Sequence, residues 1–377
     1  QRRSGKIAIT LDEGDELIGT LSEKVRYSSE TFCSGLFLSA RWFAVSQLDH
    51  EGFQLIVLPD KDSAEYCAAD LYNLIEGDRV FFLPDSGKTL ERSNYKSTLS
   101  VQRTSAIGKI LEYKEGRLIV VTYPSALEEG IPDSTIIKES VLRLTVGDEI
   151  SHEGIVEAMF ASGFQRVDFV AEPGQFAIRG AIVDIFSYSY NDPFRISFFG
   201  DEIDSITVFD CNTQLSKEKI NSAEIYPDIA SDDEEGELSS ICSIIPEDAV
   251  VWLDSSDMYK NKPFFPELER FRRIFMELPL SRQDEDAVRF RISPQPVFNK
   301  NFELLTEDIR KNLEQGYRVR IYGEKPSQLE RLRSILSQNG NILPEFISGC
   351  NIHNGFIDHE NKVCCYSDHE IFDRFHR

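Results

Sequence analysis

The stretch Phe194-Arg195-Ile196-Ser197-Phe198-Phe199 decides how the middle of this chain is interpreted, because its large apolar residues recur at every second position. Side chains alternate between the two faces of a β-strand. The pattern therefore predicts a strand with one buried and one outward face. The buried face would carry Phe194, Ile196 and Phe198, and the outward face Arg195, Ser197 and Phe199.

The outward face of this strand is unusual for a surface that only meets water. Arginine and aromatic side chains are enriched at the energetic centres of protein interfaces. Arg195 beside Phe199 therefore favours a contact surface. The alternative is that loops of this same protein cover Phe199, and the pattern alone leaves both interpretations open.

Around this strand, two kinds of pattern divide the chain. Before residue 123, apolar runs at 53–58, 79–83 and 117–122 alternate with helical patterns at 63–75 and 99–113, and 35–48 is predicted as the first helix. Such alternation predicts a parallel sheet with helices on its faces. From Leu142 a strand at 142–146, a helix from near Ser151 to Gly163, and a meander of strands centred on Val167, Ile182, Ile196 and Ile206 predict an α+β part.

The last third of the chain shows a similar but shorter pattern. A strand at 249–253 is predicted to return to the first sheet, and 270–273 is a short basic run in a helix-like segment. A helix face at 302–313, a strand at 318–322 and a helix opened by a Ser327–Glu330 capping box predict a small α/β domain.

The middle of the chain resembles a known family over a long ordered match. The matching residues are Glu172-Pro173-Gly174-Gln175-Phe176-Ala177-Ile178-Arg179-Gly180-Ala181-Ile182-Val183-Asp184-Ile185-Phe186, then 195–199, Gly200-Asp201-Glu202-Ile203-Asp204-Ser205-Ile206 and Phe209-Asp210. This region closely resembles the module shared by excinuclease B and the bacterial transcription-repair-coupling factors. The resemblance implies binding of excinuclease A through Arg179, Arg195 and Phe199. Alternatively, Arg179 simply pairs with Glu172 or Asp184.

Residues 32–41 correspond, by the same resemblance, to the phosphate-binding loop of excinuclease B. No lysine is present there to reach a β- or γ-phosphate, so Gly35 and Ser39 are interpreted as marking a degenerate nucleotide site. Gly87-Lys88-Thr89 does not replace it, because the residue five positions before Gly87 is Phe82 rather than glycine. This loss favours the coupling-factor branch of the family.

The resemblance and the patterns together predict an α/β fold class. A parallel-sheet, degenerate nucleotide-binding domain would hold an inserted α+β domain and be followed by a small C-terminal α/β domain. The predicted boundaries are 1–139 for the first part, 140–226 for the inserted excinuclease-A-binding domain, 227–290 for the return to the first domain, and 291–377 for the small domain.

Composition excludes several functions. Forty-one basic and sixty-four acidic residues give a net charge of −23, which opposes direct DNA binding by this chain. Seven cysteines are predicted to be reduced thiols of a cytoplasmic protein, and no apolar run is long enough for a membrane span. No metal site is predicted, because the cysteines and histidines at 350–369 match no zinc spacing. Gly200-Asp201-Glu202 has the composition of an ordinary turn and does not predict an acid pair or a cation site. No Gly-x-Ser-x-Gly motif occurs, so a serine hydrolase is not predicted either.

The sequence thus favours a non-catalytic protein-binding module that recruits excinuclease A to a stalled RNA polymerase in nucleotide excision repair. No cofactor is expected here; the resemblance implies ATP, RNA polymerase and DNA only for regions outside this chain. One alternative is a fragment of an ATP-dependent DNA helicase or excinuclease-B-like enzyme. Another is a purely autoinhibitory or structural module.

Overall fold

The computed structural model describes residues 16–87, 93–229, 238–283, 286–340 and 343–372. Lys88 and Thr89 lie outside the described residues. The helices, numbered in chain order, are α1 Glu16–Tyr27, α2 Ala40–Gln47, α3 Lys61–Leu74, α4 Ser93–Glu112, α5 Pro124–Glu128, α6 Ser134–Ser140, α7 His152–Ala161, α8 Phe302–Glu314, α9 Pro326–Gln338 and α10 Asp368–Ile371. Among the described residues, short 3₁₀ helices cover Ile241–Ile244, Ser256–Met258 and Phe265–Arg270.

The strands follow the same numbering. They are β1 Glu30–Ser34, β2 Phe53–Val57, β3 Val80–Phe82, β4 Leu118–Thr122, β5 Leu142–Thr145, β6 Gln165–Arg166, β7 Gln175–Arg179, β8 Ile182–Ile185, β9 Phe194–Phe199, β10 Glu202–Phe209, β11 Ser216–Ile220, β12 Ser222–Ile225, β13 Val250–Leu253, β14 Arg272–Phe275, β15 Val288–Arg289, β16 Ile292–Pro294, β17 Arg318–Gly323, β18 Glu345–Ser348, β19 Phe356–Asp358 and β20 Val363–Ser367.

The chain divides into two compact units. The first comprises the described residues of Gln1–Val80, Glu115–Val121 and Glu247–Arg377, and the second those of Phe81–Lys114 and Thr122–Pro246. Both units are assembled from segments distant in the sequence.

The first unit holds a large parallel sheet, as the alternating pattern predicts. The strands of this sheet take the order β15-β1-β14-β13-β2-β4-β3. β13 lies parallel between β2 and β14, which confirms the predicted return of residues 249–253 to the first sheet. Every residue of β2 and β13 is buried, as expected for strands covered on both faces. The same unit holds a five-stranded sheet of order β16-β19-β20-β17-β18.

The second unit contains a six-stranded sheet of order β11-β10-β9-β8-β7-β6 and the strand pair β12-β5. Helix α7 begins after Ser151, whose hydroxyl accepts a hydrogen bond from the N–H of Gly154. Its Ile155 and Met159 pack in one buried cluster with the inward residues of β9. The α+β character predicted from residue 142 onward is therefore present.

Several predicted elements are wrong in extent or kind. Residues 35–39 are not helical, because Gly35 and Leu38 have positive φ angles of 69° and 58°, and α2 starts at Ala40. The basic run at 270–273 joins a 3₁₀ turn to β14, where sheet pairing on both sides overrides a helix-like composition. The strand expected around Val167 ends at Arg166, and the meander also includes β7 and β11.

The predicted capping box is also wrong. Helix α9 begins at Pro326, with Lys325 as its N-cap and no side-chain hydrogen bond there. Proline suits the first helical position because its fixed φ is helical and its missing N–H leaves no donor unpaired. Ser327 therefore lies inside the first turn instead of capping it.

None of the helices in the described part of the chain combines the length and apolar character needed to cross a membrane.

Candidate partner-binding surface

The predicted alternation of β9 is confirmed. Phe194, Ile196 and Phe198 are buried in the cluster beneath α7, whereas Arg195 and Ser197 are partly exposed on the other face. Phe199 ends the strand and is 82% exposed. No loop in the described part of the chain covers Phe199, which contradicts the alternative that loops of this protein bury it.

Asp184 on β8 organises the outward face. It lies directly opposite Arg195 of β9, and its carboxylate accepts two hydrogen bonds from that guanidinium, Nε to Oδ1 at 2.8 Å and Nη2 to Oδ2 at 2.9 Å. Arg179, at the end of β7, also donates to Oδ2 of Asp184. The Asp184 side chain is 2% exposed, so one nearly buried carboxylate holds two arginines. Paired, two-point contacts of this kind fix geometry as well as charge.

Two other side chains, Phe209 and Gln214, also hold Arg195 in place. Its guanidinium lies 4.1 Å from the centroid of the Phe209 ring, and its Nη2 donates to Oε1 of Gln214 at 2.9 Å. The hydrogen bond to Asp184 raises the pKa of the Arg195 guanidinium above its ordinary value. With its side chain 20% exposed, Arg195 is largely a fixed part of the surface.

Arg179 is the more accessible of the two arginines. Its side chain is 37% exposed, and its guanidinium carbon lies 5.1 Å from the centroid of the Phe169 ring. Of the two partners that the sequence allowed for Arg179, the ion pair is with Asp184. The structure therefore brings Arg179 and Arg195 together on one carboxylate, with Phe199 exposed on the same sheet.

At the second predicted site, both Gly35 and Ser39 contact other segments of the first unit. A Cβ atom at Gly35 would lie 2.1 Å from the backbone oxygen of Phe290, and the positive φ of Gly35 favours glycine for a second reason. Ser39 is buried; its hydroxyl donates to Asp70 Oδ2 at 2.6 Å and accepts from the N–H of Asn354 at 2.9 Å.

Asp70 completes this buried polar cluster. Its two carboxylate oxygens accept from the N–H of His353 at 2.9 and 3.0 Å, and the His353 ring stacks on Tyr66 with centroids 3.7 Å apart. Burial raises the pKa of Asp70 to about 7, although the hydrogen bonds from Ser39 and His353 oppose this shift. The two backbone N–H groups of residues 353 and 354 therefore already have acceptors within the protein.

Six of the seven cysteines are buried. None of the seven forms a disulfide, and burial raises the pKa of the Cys364 and Cys365 thiols on β20 to about 12. The thiolate is the form that binds metals and attacks electrophiles. Among the residues that the structure describes, no group of three or more histidine, cysteine and acidic side chains is arranged to hold a metal ion.

The comparison with protein families assigns the sheet that carries the paired arginines. Residues 142–230 match the family model of the UvrB interaction domain. The match covers β5 to β12 and includes Arg179, Asp184, Arg195 and Phe199. It confirms the resemblance predicted from residues 172–210.

Similar proteins include the transcription-repair-coupling factors of several bacteria. The chain is 30% identical over 219 residues to the transcription-repair-coupling factor of Bacillus subtilis, a stretch that covers 57% of this chain and 18% of that protein. It is 30% identical over 188 residues to that of Haemophilus influenzae, covering 49% and 16%, and 31% identical over 191 residues to that of Mycobacterium bovis, covering 48% and 15%. The matched region is less than a fifth of each relative's length.

Sequence reasoning missed two features of this surface. It named Asp184 as a possible partner of Arg179 but not of Arg195, since that pair depends on the register of β8 with β9. It also missed Phe169, which lies ten positions before Arg179. A charged residue inside the apolar run Ile182-Val183-Asp184-Ile185-Phe186 was the available signal for a paired carboxylate.

Proposed function

We propose that residues 142–230 are a protein-binding module that recruits excinuclease A to a stalled RNA polymerase during nucleotide excision repair. The observation that carries the proposal is the exposed Phe199 on the same face of the sheet as two arginines that are fixed on one carboxylate. The match to the UvrB interaction domain and the names of the relatives support it.

In this proposal, Phe199 is the anchor that loses water on binding. Burying an aromatic side chain that is 82% exposed in the free chain contributes apolar burial at little ordering cost. Arg179 pairs with acidic groups of the partner, while Arg195 holds the carboxylate and the local geometry.

The chain itself is not catalytic in this proposal. The first unit is a degenerate nucleotide-binding domain into which the α+β domain is inserted, and the five-stranded sheet belongs to a small C-terminal α/β domain. Contacts with RNA polymerase and DNA, and the use of ATP, belong to parts of a longer protein outside this chain, and the protein works in the cytoplasm.

The test is calorimetric titration of this chain with excinuclease A. We expect the native chain to bind and Phe199→Ala to lose about 2 kcal/mol of binding free energy, as a central interface aromatic does. Arg195→Ala combined with Phe199→Ala should lose more. Melting curves check that the variants are folded, because removing Arg195 leaves the nearly buried Asp184 with Arg179 alone.

Tyr27→Ala is the matched control. Tyr27 is 83% exposed on α1, outside the interaction domain, so its removal takes away a similar exposed aromatic area and should leave the affinity unchanged. If the native chain shows no binding, recruitment by this module is refuted and the autoinhibitory or structural alternative is favoured.

A further inference from the structure

A second exposed aromatic, Phe169, lies on the same surface. Phe169 is 63% exposed, although large apolar side chains usually find cover in a folded protein. Its neighbour Val170 is buried in a small cluster with Ala177, Phe186 and Phe209. That cluster lies on the face of the six-stranded sheet that carries Asp184 and Arg195, opposite the core beneath α7.

The segment that carries Phe169 is fixed at both ends. The N–H of Val167 donates to the backbone oxygen of Phe176 at 2.9 Å. After Phe169, the side-chain oxygen of Gln175 accepts from the N–H groups of Ala171 and Glu172 at 2.9 and 3.2 Å. The backbone therefore holds Phe169 in place before any partner arrives, which lowers the entropic cost of using it in a contact.

Phe169 also positions Arg179. The guanidinium carbon lies 5.1 Å from the centroid of the Phe169 ring, and the same guanidinium donates to the Asp184 carboxylate. An arginine over an aromatic face is attracted by the ring electrons and keeps its edge free for other acceptors. This arrangement holds the more accessible arginine of the pair in one direction.

The net charge of the group formed by Arg179, Arg195 and Asp184 differs in sign from that of the whole chain. Two guanidinium groups meet one carboxylate, which leaves one excess positive charge in a chain of net charge −23. A partner patch that offers carboxylates is complementary to this spot and poorly complementary to the rest of the molecule.

The two exposed phenylalanines can serve one partner patch. Arg179 lies opposite Ile182, and Ile182 opposite Ser197, two residues before Phe199. Two strand spacings and two residues along a strand place Phe199 roughly 12 Å from Arg179. This span is well within one standard protein interface.

We propose that Phe169 is a further contact and positioning residue of this surface: it packs against excinuclease A and holds Arg179 toward an acidic group of that partner. The inference rests on the proposed function, because it names a second contact of the same complex. The occupant is a folded protein surface with carboxylates flanked by apolar side chains.

Calorimetry with excinuclease A tests the inference. Phe169→Ala should weaken binding about tenfold, and Phe169→Trp should restore most of the affinity because its ring can still face Arg179. In the Arg179→Ala background, Phe169→Ala should cost less than in the native chain, since the two residues act together.

Phe160→Ala is the matched control. Phe160 is 54% exposed on α7, on the other side of the sheet, where it packs edge-on against Phe176. It should bind like the native chain once melting curves show that it is folded. If Phe199→Ala weakens binding while Phe169→Ala does not, the inference is overturned and the proposed function stands. If the native chain does not bind at all, both fail.

Discussion

At the scale of single residues, two buried carboxylates differ in what satisfies them. Asp184 is satisfied by two guanidinium groups and stays tied to the surface that we assign to partner binding. Asp70 receives its hydrogen bonds from the Ser39 hydroxyl and the backbone N–H of His353, which are both uncharged donors. Burial disfavours the charged form of Asp70 and raises its pKa, although these two donors and the charge of Arg41 oppose the shift.

The stability of the first unit should therefore depend on pH through Asp70. The pKa of Asp70 in the folded protein is about 7, whereas the pKa of an aspartate in an unfolded chain is about 4. Between these values the folded protein holds a proton that the unfolded chain has released, so the free energy of unfolding falls as the pH rises. In Asp70→Asn this contribution is absent, and we expect a less negative slope of unfolding free energy against pH in that window.

Urea unfolding followed by tryptophan fluorescence measures this slope. Both tryptophans of the chain, Trp42 and Trp252, lie in the first unit. Ala64→Gly, at a buried position of the same helix α3, is the control, because it destabilises the unit without removing a titrating group. Parallel pH curves for Asp70→Asn and the native chain would contradict the assigned protonation.

At the scale of elements, the sequence predicted patterns better than boundaries. The period-two pattern of β9 survives in the structure because packing under α7 and solvent on the other face act on every residue of the strand. The helix expected from Gly35 failed because it depended on local composition. There the chain turns through Gly35 and Leu38 before α2, a conformation that depends on the close approach of Phe290 from far along the chain.

Truncating a side chain on one face of β9 should lower stability far more than truncating one on the other face. Ile196 is fully buried, so Ile196→Ala should lower the stability of the second unit by about 2–5 kcal/mol through lost packing and a residual cavity. Phe199→Ala should change it by less than about 0.5 kcal/mol, because the side chain is exposed. Hydrogen exchange of the backbone amides in β8, β9 and β10 measures both, and equal losses of protection in the two variants would refute the assigned faces.

At the scale of the whole molecule, the net charge of the chain does not describe the local charge of the candidate partner-binding surface. A net charge of −23 predicts a chain that repels nucleic-acid phosphates, whatever its fold. The surface that we propose for partner binding is a local exception, because it carries Arg179 and Arg195. The sequence could place both arginines on a contact surface through the family resemblance. It could not show that they share Asp184, or that Phe169 joins them, because these contacts depend on strand register and on a loop folding back onto the sheet.

The same reasoning predicts that the chain does not bind ATP. The residues at which the resemblance places a phosphate already have partners in the protein. The backbone oxygen of Phe290 lies close to Gly35, and Ser39 forms hydrogen bonds with Asp70 and Asn354.

A ligand that binds the folded form raises the melting temperature in proportion to the logarithm of its concentration once that exceeds the dissociation constant. We therefore expect no shift of the melting midpoint, followed by tryptophan fluorescence, on titration with magnesium and ATP. Trp42 lies in α2 three residues after Ser39, so fluorescence also reports on the site directly. A melting midpoint that rises with ATP concentration would refute the degenerate site and favour the helicase-fragment alternative. Nucleotide binding at this place would require the loop at residues 353–354 to release Ser39 and Asp70.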